Sequence, residues 1–567
     1  MWQPSTTNAV LLAGALTLSG AAAAETATPA ELILVSDQVL TMASHRQQPA
    51  EALAVAVRDG RIVAVEKPAA MAPWQGPKTR VVELGDRALL PGFIDAHGHV
   101  AFVGSWARMA NVASPPVGPV ETIADLQAAL KAYIAEHDIP AGEWVIGTGY
   151  DDSLLAEQRH PTRDDLDAVS GEHAIALGHV SGHLATANST ALARAGITGE
   201  TEDPSGGVIR RRPGSREPNG VLEETATYPM RRFMNPPGDP IQNIGEAMRI
   251  YAANGITTAQ DGGSSAQLVQ LLRAADTAGQ VPIDVIAFPA GQNNEIAIRD
   301  GFTYGEYQGR VKVGGIKLML DGSPQGKTAY MTAPYKVPPP GQDATYRGYP
   351  NIPQPRVDEL VKFYSDAGIP MLAHANGDAA ADMLIDAVAA AAPGHDHRTV
   401  MIHAQTVRED QLTRMKNLAI VPSFFAAHSF YWGDWHRDSV FGVARAERIS
   451  PTASTVARGM PFTIHNDAPV VPPDVPRLLW ATTNRMTRSG KVLGKNQRIS
   501  TYDALRAVTS LAAYQHFEEN LKGSIEEGKQ ADFVVLSANP LTLATEDLLS
   551  LEVLATFSRG EQVYAMP

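Results

Sequence analysis

Short apolar strands alternate with amphipathic helical stretches through the middle of this chain, and this alternation constrains its fold more than any other feature. Strands that alternate with helices form parallel βαβ units, and eight such units close a (β/α)₈ barrel. The pattern therefore predicts an α/β protein built on a (β/α)₈ TIM barrel. The eight strand segments are GFIDAH (92–97), GITTAQD (255–261), IDVIAF (283–288), GGIKLML (314–320), IPMLAH (369–374), TVMIHA (399–404), LAIVPSF (418–424) and MPFTIHND (460–467).

The predicted barrel occupies residues 91–515 and carries a long insertion. The gap between its first two strands, about 100–254, is far too long for one crossover, so it must contain structure of its own. Both chain ends read as short strands separated by turn residues, with a hairpin signal at Asp59-Gly60. We therefore expect a small β-sandwich built from residues 25–90 and 516–567.

The N-terminus predicts export. Residues 9–24, AVLLAGALTLSGAAAA, form an apolar run that is short for a membrane span and ends in small residues. We interpret residues 1–24 as a cleaved signal peptide, which makes the mature protein periplasmic or secreted and free of the membrane. The alternative interpretation is a disordered Ala-rich tail.

Charge and cysteine content exclude several kinds of partner and site. Lys and Arg total 47 against 61 for Asp and Glu, a net charge of −14, which argues against nucleic-acid binding. The chain has no cysteine, so disulfides, thiolate metal sites, iron–sulfur clusters and a cysteine nucleophile are excluded. Any metal must therefore be held by histidine, carboxylate or modified lysine.

Histidines and one carboxylate follow the predicted strands. His97 and His99 come at the end of the first strand, and a pair of imidazoles two residues apart at a strand end can hold one metal ion. His374, His403 and Asp467 come at the ends of the fifth, sixth and eighth strands. Barrel enzymes carry their chemistry at the carboxyl ends of the strands, so we expect these five side chains to converge on a metal centre there.

Lys317 is unusual because it lies inside the apolar segment GGIKLML. Burying its ammonium would cost several kcal/mol unless the group were paired or neutralised. One interpretation is a carbamate, formed with CO₂, whose oxygens bridge two divalent ions. The other is a lysine that pairs with Asp321 or extends to the rim of the barrel.

Six motifs, in this order along the chain, resemble the metal-dependent amidohydrolase superfamily. They most resemble amidohydrolase family 3, the branch that contains N-substituted formamide deformylase, and the resemblance covers roughly residues 30–565. The motifs are LLPGFIDAHGH (89–99), GIKLMLDGS (315–323), MLAHANGDAA (371–380), MIHAQ (401–405), HNDAPV (465–470) and GSIEEGKQADFVVL (523–536).

The resemblance implies a role for each residue of the metal centre. His97 and His99 would bind the more buried metal, His374 and His403 the second, and Lys317 would bridge them. Asp467 would be both a ligand and the general base. The resemblance thus implies one or two divalent ions, most simply Zn²⁺, and hydrolysis of an amide-like, non-peptide C–N bond by a metal-activated water. Asn466 departs from the family, which often has Ser before this Asp, so the polar wall beside the base is altered.

The resemblance also points to substrate-binding residues. His183, Asn188 and Glu224 in the insertion correspond to positions that recur in this branch. After the seventh strand, His428 and Trp432 belong to an aromatic segment, SFFAAHSFYWGDWHRDS (423–439), that could line a substrate pocket. The alternative is a loop packed for its own stability.

Other functions remain open at this point. One is a mononuclear deaminase-like enzyme in which Lys317 is only structural, and another is an ester or lactone hydrolase, since the same site would attack any activated carbonyl. A third, of a different class, is a non-catalytic exported binding or regulatory protein on the same scaffold. The expected partner is a small-molecule substrate, and a homodimer is the oligomeric state left open.

Overall fold

The computed structural model describes residues 28–44, 46–234 and 238–567. The predicted signal peptide at 1–24 lies outside the described residues. Within the described ranges, no helix is both long enough and apolar enough to cross a membrane.

The strands, in chain order, are β1 (Leu32–Val39), β2 (Glu51–Arg58), β3 (Arg61–Glu66), β4 (Arg80–Pro91), β5 (Phe93–Ile94), β6 (Ala110–Asn111), β7 (Trp144–Tyr150), β8 (Ala174–His179), β9 (Leu184–Ala187), β10 (Gly207–Arg211), β11 (Pro218–Glu224), β12 (Ile256–Ser264), β13 (Asp284–Pro289), β14 (Tyr307–Gln308), β15 (Val311–Val313), β16 (Ile316–Met319), β17 (Met371–Ala375), β18 (Val400–His403), β19 (Val421–Phe424), β20 (Thr463–Ile464), β21 (Phe533–Leu536), β22 (Val553–Ser558) and β23 (Glu561–Ala565).

The α-helices are α1 (Val100–Trp106), α2 (Ile123–Glu136), α3 (Arg163–Asp167), α4 (Ser189–Ala195), α5 (Tyr228–Arg231), α6 (Pro240–Ala253), α7 (Ala266–Thr277), α8 (Glu295–Asp300), α9 (Gln354–Asp366), α10 (Asp378–Ala391), α11 (Glu409–Asn417), α12 (His428–Tyr431), α13 (Gly433–Trp435), α14 (Val443–Ala446), α15 (Thr452–Ala457), α16 (Val475–Asn484), α17 (Thr501–Ala507) and α18 (Ser510–Gln515).

The two chain ends form one mixed sheet of seven strands, in the order β23–β22–β21–β4–β1–β2–β3. β4 joins the two ends, because it pairs in parallel with β1 and antiparallel with β21. The predicted hairpin is present: β2 and β3 pair antiparallel, and Asp59 and Gly60 both have positive φ, 50° and 69°, as a two-residue type I′ turn requires. The chain ends thus meet in one sheet, and the β-sandwich stays a prediction.

The long segment between β5 and β12 contains a second mixed sheet, of six strands in the order β10–β11–β9–β8–β7–β6. β6, β7 and β8 run parallel, whereas β9, β10 and β11 add antiparallel pairs. Leu126 and Leu130 of α2 pack against Val145, Ile175 and Leu177 of this sheet. The inserted sheet therefore has an apolar core of its own.

Each of the eight central segments predicted to be strands contains one. β5, β12 and β13 belong to a five-stranded sheet with β14 and β15, and β16 to β20 form a second five-stranded sheet. Every pairing in these two sheets except β14–β15 is parallel. Backbone hydrogen bonds join the sheets at both edges, from Gly291 N–H to Lys317 O (2.9 Å) and from His99 N–H to Ala468 O (2.7 Å). The molecule is thus an α/β protein with mixed and parallel sheets.

Helix α6 shows how the helices fix the strand ends. Asp239 caps its first turn by accepting from Ile241 N and Gln242 N, and Pro240 occupies the first helical position, where its missing N–H costs nothing. The buried face of α6 ends in Tyr251, whose hydroxyl donates to Asp95 Oδ2 at 3.2 Å. Asp95 lies two residues before His97, so the helix orients the end of β5.

Candidate metal centre

Six predicted residues meet at the carboxyl ends of the parallel strands, and we call them the metal centre. They come from β5, β16, β17, β18 and β20 or from the residues just after these strands, and are far apart in sequence. Because all these strands are parallel, their carboxyl ends share one side of the fold. The six are His97, His99, Lys317, His374, His403 and Asp467.

Asp467 is the carboxylate that the histidines share. Its Oδ1 lies 3.5 Å from His97 Nε2 and 3.4 Å from His99 Nε2, and its Oδ2 lies 3.9 Å from His403 Nε2. Burial alone would raise the pKa of Asp467, but the neighbouring His99 lowers it, with smaller contributions from His465 and Lys317. Asp467 is therefore an ionised carboxylate among imidazoles.

His374 and His403 form the other half of the centre. Their ring centroids are 4.6 Å apart, and the His403 ring lies 5.7 Å from that of His97. Burial lowers the pKa of all three imidazoles well below its ordinary value. These rings are therefore neutral at physiological pH, as metal coordination requires.

Lys317 is buried within the same group. Its Nζ lies 2.8 Å from His97 Nε2, and burial lowers the pKa of its ammonium to about 7. The predicted alternative of a pair with Asp321 is wrong, because that carboxylate accepts from His374 Nδ1 and from the backbone N–H groups of Tyr330, Asn376 and Gly377. Lys317 is 1% exposed, so it does not extend to the rim either.

Three side chains behind the histidines set which ring nitrogen faces inward. Gln260 Oε1 accepts from His97 Nδ1 at 2.6 Å, and Asp321 Oδ1 accepts from His374 Nδ1 at 3.0 Å. His465 Nε2 lies 3.1 Å from His403 Nδ1. Each of these hydrogen bonds engages Nδ1 and leaves Nε2 of the same ring directed toward the centre. Sequence analysis gave no role to Gln260 or His465, although the signal was available in polar residues within buried strand segments.

Gly98 explains the spacing of the first histidine pair. A Cβ added at this position would lie 2.4 Å from Asp95 Oδ2 and 2.9 Å from the Tyr251 hydroxyl oxygen. Only glycine fits between the two histidines without displacing the bond that orients β5.

His183 and Glu224 reach the centre from the insertion. His183 Nδ1 lies 2.8 Å from Glu224 Oε2, Thr328 donates to the other Glu224 oxygen at 2.7 Å, and the His183 ring lies 4.8 Å from that of His374. Burial would lower the pKa of His183, but Glu224 raises it. These two predicted substrate-binding residues therefore stand beside the metal centre as a charged pair.

His428 and Trp432 lie beyond His403. The His428 ring is 6.4 Å from that of His403 and 5.3 Å from that of Trp432, and no hydrogen-bond partner reaches His428 Nδ1. The Trp432 indole N–H donates to Asp151 Oδ2 at 2.6 Å. His428 therefore adjoins the centre, whereas Trp432 joins the segment after β19 to the insertion.

The structure does not bring Asn188 to the centre, which corrects its predicted role in substrate binding. Its Oδ1 accepts from Ile175 N and Ala191 N, and its Nδ2 donates to Ser170 O and His173 O. All its hydrogen-bonding capacity is used to cap α4 and to hold β8. The physical reason is that a buried amide must satisfy its own polar atoms first.

The donor set fits a divalent metal ion. Asp467 Oδ1 is buried and has no hydrogen-bond partner among the described residues, and an oxygen in that state normally costs about 1–3 kcal/mol. The Nε2 atoms of His97 and His99 face it, and the His97 ring is neutral. Imidazole nitrogens with a carboxylate oxygen suit Zn²⁺ and similar ions. His97, His99 and Asp467 also have ligand atoms within 4.8 Å of one another.

Comparisons with known proteins agree with this architecture. The model of the amidohydrolase family matches residues 80–564, a range that includes the whole metal centre. N-substituted formamide deformylase from Arthrobacter pascens is 27% identical over 564 residues, 94% of this chain and 97% of that protein. Protein LONG AFTER FAR-RED 3 from Arabidopsis thaliana is 27% identical over 531 residues, 90% and 88% of the two chains. An uncharacterized metal-dependent hydrolase from Pyrococcus horikoshii shares the fold, with a TM-score of 0.70 at 21% identity, over 91% of this chain and 99% of that one.

Proposed function

Because the chain belongs to the amidohydrolase family, we propose that it hydrolyses an amide-like, non-peptide C–N bond in a small molecule. The family match and the similar proteins confirm the resemblance to the metal-dependent amidohydrolase superfamily that the sequence motifs indicated. The observation that carries the finer proposal is the unpartnered Asp467 Oδ1 between His97 and His99. Similarity to N-substituted formamide deformylase supports an amide-type substrate.

We propose that the two five-stranded sheets are halves of one (β/α)₈ barrel. The support is the parallel order of the eight predicted strands and the backbone hydrogen bonds at both edges, at Gly291–Lys317 and His99–Ala468. In a barrel the carboxyl ends of the strands form the site. We further propose export to the periplasm or the medium, supported by the N-terminal apolar run.

We assign the ligands in two groups. His97 and His99 would hold one Zn²⁺-like ion, His374 and His403 a second, and Asp467 would contact the first. A carbamate on Lys317 would bridge the two ions. The low pKa of the Lys317 amine supports this modification, because only the uncharged amine reacts with CO₂.

In the proposed mechanism, divalent ions held by these residues would supply Lewis-acid chemistry for the substrate carbonyl and would make a water nucleophilic at neutral pH. Asp467 accepts the proton of the attacking water on its carboxylate and returns it to the leaving nitrogen. His183, oriented by Glu224, donates a hydrogen bond to the substrate. Gln260, Asp321 and His465 keep the imidazoles in the required tautomers and exclude rotation of the rings.

The test combines metal analysis with a substrate screen. We expect the purified full-length protein to contain divalent metal and to hydrolyse members of a panel of N-formyl, N-acyl and cyclic amides. Replacing both His97 and His99 with Ala should remove the metal held at the metal centre and the activity together. Hydrolysis that survives complete removal of metal would contradict the proposal.

Lys317 distinguishes a binuclear from a mononuclear centre. Lys317→Ala should lose one equivalent of metal, measured by elemental analysis, because the bridging ligand is gone. Short-chain carboxylic acids with added metal should restore part of the activity. Unchanged metal stoichiometry in the variant would instead favour the mononuclear, deaminase-like alternative.

A further inference from the structure

A second group of metal-ligating side chains lies in the inserted sheet, away from the metal centre. It consists of Asp152, His160 and His179, which we call the insertion cluster. Within the described part of the chain, it is the other set of three such residues whose ligand atoms lie within 4.8 Å of one another. Its members are buried, with His179 fully enclosed and the other two 8% exposed.

Parallel strands create this cluster as they create the metal centre. β7 and β8 are parallel neighbours in which Tyr150 lies opposite His179. His179 is the last residue of β8, and Asp152 follows the end of β7. His160 comes from the loop that leads into α3. The cluster therefore lies at the carboxyl ends of adjacent parallel strands, a recurrent position for ligand sites.

Both imidazoles present Nε2 to the same carboxylate. His179 Nε2 lies 3.0 Å from Asp152 Oδ1, and His160 Nε2 lies 3.4 Å from Asp152 Oδ2. Zinc–ligand bonds of about 2.0–2.1 Å in tetrahedral geometry place ligand atoms about 3.3 Å apart. Each imidazole thus lies near this spacing from one Asp152 oxygen, and the three residues offer ligand atoms within 4.8 Å of one another.

The opposite ring nitrogens are held by hydroxyl groups. The Tyr150 hydroxyl lies 3.2 Å from His160 Nδ1, and the Ser181 hydroxyl lies 2.8 Å from His179 Nδ1. A hydroxyl can rotate to donate or to accept, so these partners serve either tautomer. The backbone N–H of Ser181 also lies 3.2 Å from His179 Nδ1 and favours the metal-free tautomer. We therefore expect a metal ion to bind here more weakly than at a site where no backbone N–H donates to Nδ1 of a ligand histidine.

Arg210 and Lys327 act electrostatically on Asp152, but from beyond the distance of a direct ion pair. Within the described chain, its ion-pair partners closer than 4.0 Å are the two imidazoles. The nearby cations are engaged elsewhere, Arg210 with Glu223 and Lys327 with the Ser439 hydroxyl. A buried carboxylate in this setting is stabilised by a cation.

We propose that the insertion cluster binds one Zn²⁺-like divalent ion through Asp152, His160 and His179, and that this ion fixes the insertion against the metal centre. The cluster has direct links in that direction. Asp151, the neighbour of Asp152, accepts from the indole of Trp432. The Ser181 hydroxyl, which bonds His179, also accepts from the backbone N–H of His183 at 3.2 Å. A bound ion would therefore hold in place both the Asp151–Trp432 contact and the backbone position of His183, beside the metal centre.

Anomalous diffraction at the zinc edge tests this proposal directly on the full-length wild-type protein. In crystals soaked with ZnCl₂, we expect a peak within bonding distance of His160 Nε2, His179 Nε2 and Asp152, separate from any peak at the metal centre. No peak there, in crystals whose metal centre is occupied, refutes the insertion site and leaves the proposed function standing. A peak in the insertion alone supports this inference and counts against the metal centre.

Solution measurements separate the two sites by mutation. In the His97→Ala, His99→Ala variant, added Zn²⁺ should still raise Tm, and elemental analysis should still find bound metal. Adding His160→Gln should abolish both effects. The matched control adds His173→Gln instead: His173 is another buried histidine of the insertion, bonded to Ser170 Oγ and Ile139 O, and its loss should leave the Zn²⁺-dependent rise in Tm intact. A rise in Tm that persists without His160 would overturn the assignment.

Discussion

At the scale of single residues, the metal centre contains strained backbone. His403, Ala404 and Asp467 have positive φ values of 68°, 46° and 56°, a region that costs a non-glycine residue about 1–3 kcal/mol. Two of these three residues are proposed ligands. The strained backbone of His403 and Asp467 therefore coincides with the points where their side chains enter the centre.

Asp467→Asn tests the general base. The change keeps the shape and part of the ligation but removes the proton acceptor, so metal content should largely survive. We expect kcat to fall about 10²- to 10⁴-fold, the usual contribution of a positioned acid–base group. Near-normal turnover by the metal-loaded variant would refute the role and direct attention to His183 or His428.

Gln260→Leu tests whether the bond behind His97 matters for metal binding. The variant cannot accept from His97 Nδ1, so the ring is free to rotate and to change tautomer. We expect metal affinity, measured by competition with a chelator, to fall about 10- to 100-fold. Gln515→Leu is the matched control, because Gln515 bonds the same Ala96 carbonyl as Gln260 but no histidine of the centre. Equal losses in both variants would indicate a general loss of packing.

At the scale of elements, one hydrogen bond fastens the inserted sheet to the segment after β19. Trp432, at the end of α12, donates to Asp151, which follows β7. Asp151 also accepts from Ser153 through its other oxygen, and burial raises its pKa. The contact between the two segments therefore depends on the Trp432 indole N–H, which donates to the buried Asp151 carboxylate.

Trp432→Phe should weaken this connection measurably. Losing a hydrogen bond to a charged group costs about 1.5–3 kcal/mol, against about 0.5–1.5 kcal/mol for a neutral one. The control is Trp435→Phe, since that indole donates to the neutral carbonyl of Gln325 at 3.1 Å. We expect the larger loss in the free energy of unfolding, measured by urea denaturation, for Trp432→Phe. Equal losses would show that the Asp151 bond has no special weight.

At the scale of the whole molecule, a buried charge network joins the C-terminal region to the parallel strands. Lys522 Nζ lies 2.6 Å from Asp284 Oδ2 on β13, and Arg559 between β22 and β23 lies 2.7 Å from Asp284 Oδ1. Lys522 and Asp284 are buried. Asp284 thus ties together three segments that are far apart in the chain.

Lys522→Met should destabilise the protein by about 3–5 kcal/mol, because it leaves Asp284 buried with reduced compensation. Burial would raise the pKa of Asp284, but Lys522, Arg559 and Arg310 hold it below its ordinary value. Asp284 in turn raises the pKa of Lys522. The contribution of Asp284 is therefore present above about pH 4 and is lost as pH falls through its lowered folded pKa. That of Lys522 is present below about pH 10 and is lost as pH rises through its raised folded pKa.

Unfolding by urea at pH 7 and in acid checks this prediction. The difference between wild type and Lys522→Met should shrink at low pH, where Asp284 becomes protonated and no longer needs a cation. Lys529→Met is the control, because Lys529 pairs with the half-exposed Glu526, and such pairs contribute about 0–1 kcal/mol. A difference that is independent of pH would contradict the ion-pair explanation.

The sequence by itself predicted the α/β class, the position of the eight central strands, the meeting of the two chain ends and the residues of the metal centre. It could do so because hydrophobic periodicity and the placement of histidines at strand ends are local patterns. The tertiary structure alone decided which partners those residues have. It placed Lys317 against His97 and not Asp321, engaged Asn188 fully in the insertion, and set Gln260 behind His97. The two bonds of His97 join residues more than a hundred positions apart. Only packing determines which of the available polar groups comes within reach.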